Sequence, residues 1–142
     1  MIKYKQQIVD NNIGDCFRAC VATVFQIPPE VLPNDHSAAW HSIWASFFNQ
    51  FGIDMVYGSR KDAIWMGGFW IASVKSINFE GGSHAIVMRG SEVYHDPSTK
   101  SKYRTGKQML GDDAVTGGYR FFIDDATLLS RLDDYRKKVT NQ

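Results

Sequence analysis

The chain has 142 residues, sixteen basic against fifteen acidic side chains, a net charge of +1 and 44% hydrophobic residues. That length supports one domain with its own core and is short for two, so residues 1–142 read as a single domain, and the even charge without a basic stripe excludes nucleic acid as an expected partner. No stretch approaches the roughly 20 apolar residues of a bilayer span, and Met1-Ile2-Lys3-Tyr4-Lys5-Gln6-Gln7 lacks the apolar core of an export signal, so the expectation is a cytoplasmic chain with no membrane partner.

In chain order, Asp15, or Asn12 before it, caps a helix predicted from Cys16 to about Gln26, which Ile27-Pro28-Pro29 ends because proline supplies no N–H. Only Arg18 and Thr23 interrupt its apolar residues, so it is expected to be buried between other elements. Trp40, Ile43, Trp44, Phe47, Phe48 and Phe51 follow helical spacing and predict a second, amphipathic helix over Ser37 to Phe51, stopped by Gly52. After Gly52 the period shortens. Ile53 to Tyr57, Phe69 to Val74, His84 to Met88, Glu92 to His95 and Tyr119 to Ile123 read as strands, with a loop over Lys100 to Gly118. Ala126 to Lys138 reads as a peripheral terminal helix, acidic at its start and basic at its end. Helices followed by an antiparallel sheet predict an α+β domain.

The chemistry concentrates on three residues. Cys16 stands where the first helix begins, and the unpartnered N–H groups and dipole of that terminus favour a thiolate. His84 opens a strand after Phe79-Glu80-Gly81-Gly82-Ser83, and Asp96 closes the next strand ahead of Pro97. A nucleophile, a base and a group that orients the base are what thiol catalysis requires. Register decides whether His84 meets Asp96, because strand side chains alternate. A two-residue loop at Gly90-Ser91 sends Asp96 to the other face, whereas a three-residue Arg89-Gly90-Ser91 loop, or an equivalent bulge, sets it opposite His84. The three-residue loop, or an equivalent bulge, is the expectation; the loop register pairs Ile86 with Tyr94 and Val87 with Val93, and turns His95 to the opposite face.

Taken together, Gly14-Asp15-Cys16-Phe17-Arg18-Ala19-Cys20, Ser83-His84-Ala85-Ile86-Val87 and Tyr94-His95-Asp96-Pro97 resemble papain-like cysteine peptidases, most of all the bacteriocin-processing branch. The likeness runs from about Gln6 to Pro97. It implies a papain-like fold, with Cys16, His84 and Asp96 as a catalytic triad that cleaves a peptide or isopeptide bond through a thioester, without metal or cofactor, on a peptide or protein substrate. The family places an oxyanion-hole Gln about six residues before the Cys, where this chain has Asp10. Gln6 and Gln7 lie ten and nine residues before Cys16, and a short insertion at Asn11-Asn12-Ile13 would restore Gln7 to the hole, beside the backbone N–H of Cys16. A peptidoglycan amidase or endopeptidase of the same superfamily is the alternative enzyme, against which stands the missing export signal. A catalytically silent binding module follows if no Gln reaches the hole.

Plainer readings stand beside these. Cys16 alone would be a small buried hydrophobe, as Cys20, one turn deeper, is expected to be. His84 alone would be a strand-end surface histidine, and His95 and His41 are expected to be partly exposed. Cys16-x3-Cys20 followed after fifteen residues by His36-x4-His41 falls within zinc-ligand spacing, but on an apolar helix of a chain able to fold unaided, so no metal is expected. Trp40, Trp44, Phe47, Phe48 and Phe51 read as core. Trp65-Met66-Gly67-Gly68 reads as an apolar loop walling a cleft, and Gly81-Gly82 as a place for close approach of a substrate backbone.

Overall fold

The structure is a computed structural model and describes residues 2–5, 16–33, 39–75, 83–97 and 115–140. It is an α+β architecture in which five strands form one sheet and four helices pack around it. Helices α1 (Cys16–Phe25) and α2 (Trp40–Asn49) precede β1 (Ile53–Gly58); α3 (Arg60–Met66) leads into β2 (Phe69–Lys75), β3 (Ser83–Arg89), β4 (Glu92–His95), β5 (Val115–Ile123) and α4 (Leu129–Thr140). One-turn 3-10 helices lie at Pro29–Val31 and Ala126–Leu128. The strand order is β1-β5-β2-β3-β4, with every pair antiparallel.

Alternation along the strands divides the core into two layers. One face of the sheet carries Ile53, Met55, Ile71, Ala85 and Val87 against Cys20, Val21 and Ala22 of α1, Trp44 and Phe48 of α2 and Leu132 of α4. The other carries Trp70, Ala72, Val74, Ile86, Met88, Val93 and Val115 with Ala63 of α3. Helix α1 is buried continuously from Ala19 to Thr23, as an apolar circumference demands. It stops at Gln26, whose φ of 55° turns the chain out of the helix before the prolines are reached. Among the described residues no helix is long and apolar enough to cross a membrane.

Three stretches depart from the sequence reading. Strand β5 starts at Val115, not Tyr119, taking in residues expected in a loop. Gly117 and Gly118 mislead as turn residues; they belong to the strand because the rings of Tyr57 and Trp70 occupy the space where their side chains would stand. Trp65 and Met66 end α3 and are not a loop. Seven residues are too few to show a helical period, yet Ser59 signals the start, its hydroxyl accepting from the Asp62 N–H at 3.2 Å. Helix α4 opens with the 3-10 turn, capped by Asp125, which accepts from the Thr127 N–H at 3.0 Å.

Candidate active site

Cys16 is the first residue of α1, and the burial of that helix fixes where its sulfur stands. His84 lies at the start of β3, and Asp96 follows β4 directly. Of the two expected arrangements, the hairpin between them uses the bulge and not the three-residue loop. Arg89 pairs with Glu92 across a two-residue Gly90-Ser91 turn, Met88 with Val93, and then Tyr94 is extra, so that Val87 faces His95. A two-residue turn without interruption would set Asp96 opposite Ala85, whose side chain faces α1. The bulge advances the register by one and brings Asp96 level with Ile86, on the same face as His84. Gly90, with φ 59°, permits the tight turn.

The result joins all three residues. His84 Nε2 lies 2.7 Å from Asp96 Oδ1, with the imidazole 12% and the carboxyl side chain 2% exposed. Facing a carboxylate, Nε2 carries the proton, which leaves Nδ1 for the sulfur. The Ala85 N–H donates to Cys16 Sγ at 3.4 Å. Burial is the largest influence on the imidazole and opposes its charge, but the hydrogen bonds to Asp96 and to Cys16, with their negative charges, outweigh it and raise the pKa to about 9. The ring is therefore an imidazolium at neutral pH. A sulfur beside a proton-bearing imidazole, itself held by a buried carboxylate, can exchange a proton with the ring while the ring keeps one orientation.

From the sulfur the sheet runs on as a floor of small side chains: Ala85 pairs with Ser73, and Ser73 with Gly117. Tyr57 lies across Gly117 and donates to Thr116 O at 3.3 Å. Phe17, next to the thiol, packs edge-on against Trp40, Trp44 and Tyr119 with centroids 5.1–5.3 Å apart.

The remaining candidates divide. Cys20 is fully buried, and burial pushes its thiol well above the ordinary value, so it packs in the core. Trp44, Phe48 and Phe51 are buried, with Trp40 and Phe47 partly so. Trp70 is buried and donates from its indole to Gly90 O at 2.8 Å. His41 is exposed on α2. His95 is not partly exposed as expected: it is 2% exposed and donates from Nε2 to Tyr4 O at 2.6 Å, because the N-terminal segment covers the face to which the register turns it. Gln6, Gln7, Asp10, His36, Gly81 and Gly82 lie outside the described residues. Among the described residues no three His, Cys, Asp or Glu side chains are grouped to hold a metal ion. The N–H of Ala85 on the sulfur and the Lys5 ammonium on Asp96 O, at 3.3 Å, have no signature in the sequence, since both depend on the meeting of distant segments. Comparison with known proteins finds no matching family model, no matching curated protein and no matching solved structure.

Proposed function

We propose that the chain is a cysteine-dependent hydrolase of peptide or isopeptide bonds, built on a papain-like plan. The observation that carries this reading is His84 held by Asp96 at 2.7 Å while it interacts with Cys16, whose sulfur accepts from the neighbouring Ala85 N–H. In the acylation step Cys16 Sγ, as thiolate, attacks the carbonyl carbon of the scissile bond, and the carbonyl oxygen takes up the negative charge. The N–H of Cys16 and the side-chain amide of Gln7 are the proposed donors to that oxygen. His84 gives its proton to the departing nitrogen, the C–N bond breaks, and a thioester remains. The neutral imidazole then takes a proton from water, whose oxygen attacks the thioester, and the carboxylic acid leaves as Cys16 is regenerated. Asp96 stays ionised throughout and holds the ring and its charge.

The small side chains of Ala85 and Ser73 support a peptide as substrate, since an extended main chain meets little bulk beside the sulfur before it reaches Tyr57, which covers Gly117. Alkylation tests the chemistry. At pH 6 iodoacetamide is expected to modify Cys16 at least about tenfold faster than a free thiol of ordinary pKa, and His84→Ala is expected to abolish the excess. A Cys16 that reacts no faster than the free thiol defeats the reading. Incubation with a proteome-derived peptide library should then yield new N-termini with the native chain and none with Cys16→Ala; rapid alkylation without any cleavage would mark a binding module.

A further inference from the structure

His95 is a buried imidazole that takes no part in the chemistry above. Its hydrogen bond to Tyr4 O joins the last residue of β4 to the segment 2–5. That segment is fastened along α1 on its other side. The Tyr4 N–H donates to Thr23 Oγ1 at 3.0 Å, and the Gln26 side chain holds Ile2 in both directions, accepting from its N–H at 2.9 Å and donating to its carbonyl at 2.8 Å. On the sheet side the segment touches three consecutive residues at the bulge. Lys3 Nζ lies 4.5 Å over the Tyr94 ring, His95 bonds Tyr4, and Lys5 Nζ reaches Asp96 O at 3.3 Å. The segment is thus a strap from the helix that carries Cys16 to the strand end that carries Asp96.

The strap sits where the sheet is weakest. Strand β4 has four residues, forms the edge of the sheet, and its ladder with β3 is broken at Tyr94. The ladder with β3 ends at His95, and the direction of the Asp96 carboxylate depends on the bulge. A main-chain carbonyl only accepts, so His95 presents an N–H to Tyr4 in either charge state. Burial, the largest influence, holds its pKa below the ordinary imidazole value, and the ammonium groups of Lys5 and Lys3 act with it.

We propose that His95 is a positioning residue: its hydrogen bond to Tyr4 locks the end of β4 in the bulged register that aims the Asp96 carboxylate at His84. The proposal rests on Cys16, His84 and Asp96 being the working group of the site, and its test reads the ring of His84 without requiring turnover.

Histidine-labelled full-length protein is titrated by NMR. In the native chain the His84 ring is expected to titrate at about 9. In His95→Leu, which has no donor, the value is expected to fall by about one pH unit or more as the carboxylate loses its aim. His95→Gln, whose amide N–H can reach the same carbonyl, is expected to restore it. Alkylation gives a second readout: the rate with iodoacetate relative to iodoacetamide at pH 7.5 reports the positive charge of the imidazolium, and should drop several-fold in His95→Leu and recover in His95→Gln. A His95→Leu chain that melts at a lower temperature yet keeps both the native His84 titration and the native rate ratio overturns the proposal and reduces His95 to packing. Should His95→Leu not fold, Thr23→Val removes the partner of the Tyr4 N–H and loosens the strap at the residue His95 holds, without touching β4 or Asp96. It must lower the His84 value in the same way, and an unchanged value there overturns the proposal equally. If the native His84 titrates near 6.5, the reading of the site fails first and this proposal with it; a native value near 9 that His95→Leu leaves in place sinks the positioning role alone.

Discussion

On the ring of His84, burial pulls the pKa down while Asp96 and Cys16 push it up, and the net result near 9 means that folding favours the protonated ring. The sign follows from linkage. A pKa raised from 6.5 to about 9 gives stability that is fully present below pH 6.5 and is lost as pH rises through 9. The pair is nearly out of water, with 12% and 2% side-chain exposure, so solvent screens it little. The contribution is on the order of 2–3 kcal/mol. Urea unfolding of the native chain and of His84→Gln between pH 6 and 10 should therefore show a difference in stability that shrinks by about that amount from pH 6.5 to 9.5. A difference that stays constant over this range would mean that the ring and the carboxylate do not interact as the geometry requires. Cys16, His84 and Asp96 were each legible as residues, because a helix start and two strand ends are local features. Their support was not: nothing local in Tyr4, Lys5 or His95 announces a contact across about 90 residues of chain.

At the scale of elements, the β3–β4 hairpin does the placing, and Trp70 of β2 holds its turn. The indole N–H donates to Gly90 O at 2.8 Å, and the Gly90 N–H donates to Gly68 O at 3.0 Å, so the turn is clamped from the neighbouring strand. Trp70 can lie flat there because its other side meets Gly118 of β5, where a Cβ would come 2.5 Å from Trp70 Cε3. Gly118→Ala pits a methyl group against a rigid, buried ring. It is expected to destabilise the fold by about 2 kcal/mol, and to raise amide exchange at Gly90 and Val93 more than in α4. Unchanged stability together with native protection at Gly90 would show that the indole has room to move and is no clamp. Gly118 also shows what the sequence could not supply. Thr116-Gly117-Gly118 has the composition of a turn, and only the rings of Tyr57 and Trp70, more than 45 residues away, make the glycines strand residues. The bulge at Tyr94 was one of two arrangements that the sequence left open. A bulge and a three-residue loop bring Asp96 to the same face, and local propensity does not separate them.

For the molecule as a whole, the position of Cys16 depends on how α1 is gripped along its length. Its flank packs on the sheet and on α2, its start meets β3, and its C-terminal end is held by α4. Arg136 of α4 donates from Nε and Nη2 to Phe25 O, at 3.1 and 2.7 Å, and so caps the last turn of α1 with a positive charge where the helix dipole is negative. Tyr135 donates to Val31 O at 2.7 Å, and Leu132 is buried in the core beside α1 and α2. Helix α4 is peripheral in its exposure, as its charged sequence implies, but it closes the layer that positions the thiol. Arg136→Ala leaves a helix-end carbonyl without its charged donor. With the guanidinium partly in solvent, the cost is about 1 kcal/mol, or roughly 3–4 °C in melting temperature for a domain of this size. Arg136→Lys keeps the charge but cannot place two N–H groups on one oxygen, so its melting point should fall between the two. At 25 °C the alkylation rate of Cys16 should remain native in both variants, since the ten residues of α1 separate the cap from the thiol by about 15 Å. Melting points that do not fall in that order would show that Leu132 and Tyr135 alone attach α4. A slowed thiol in a fully folded Arg136→Ala would show that α1 transmits strain from its end to its start.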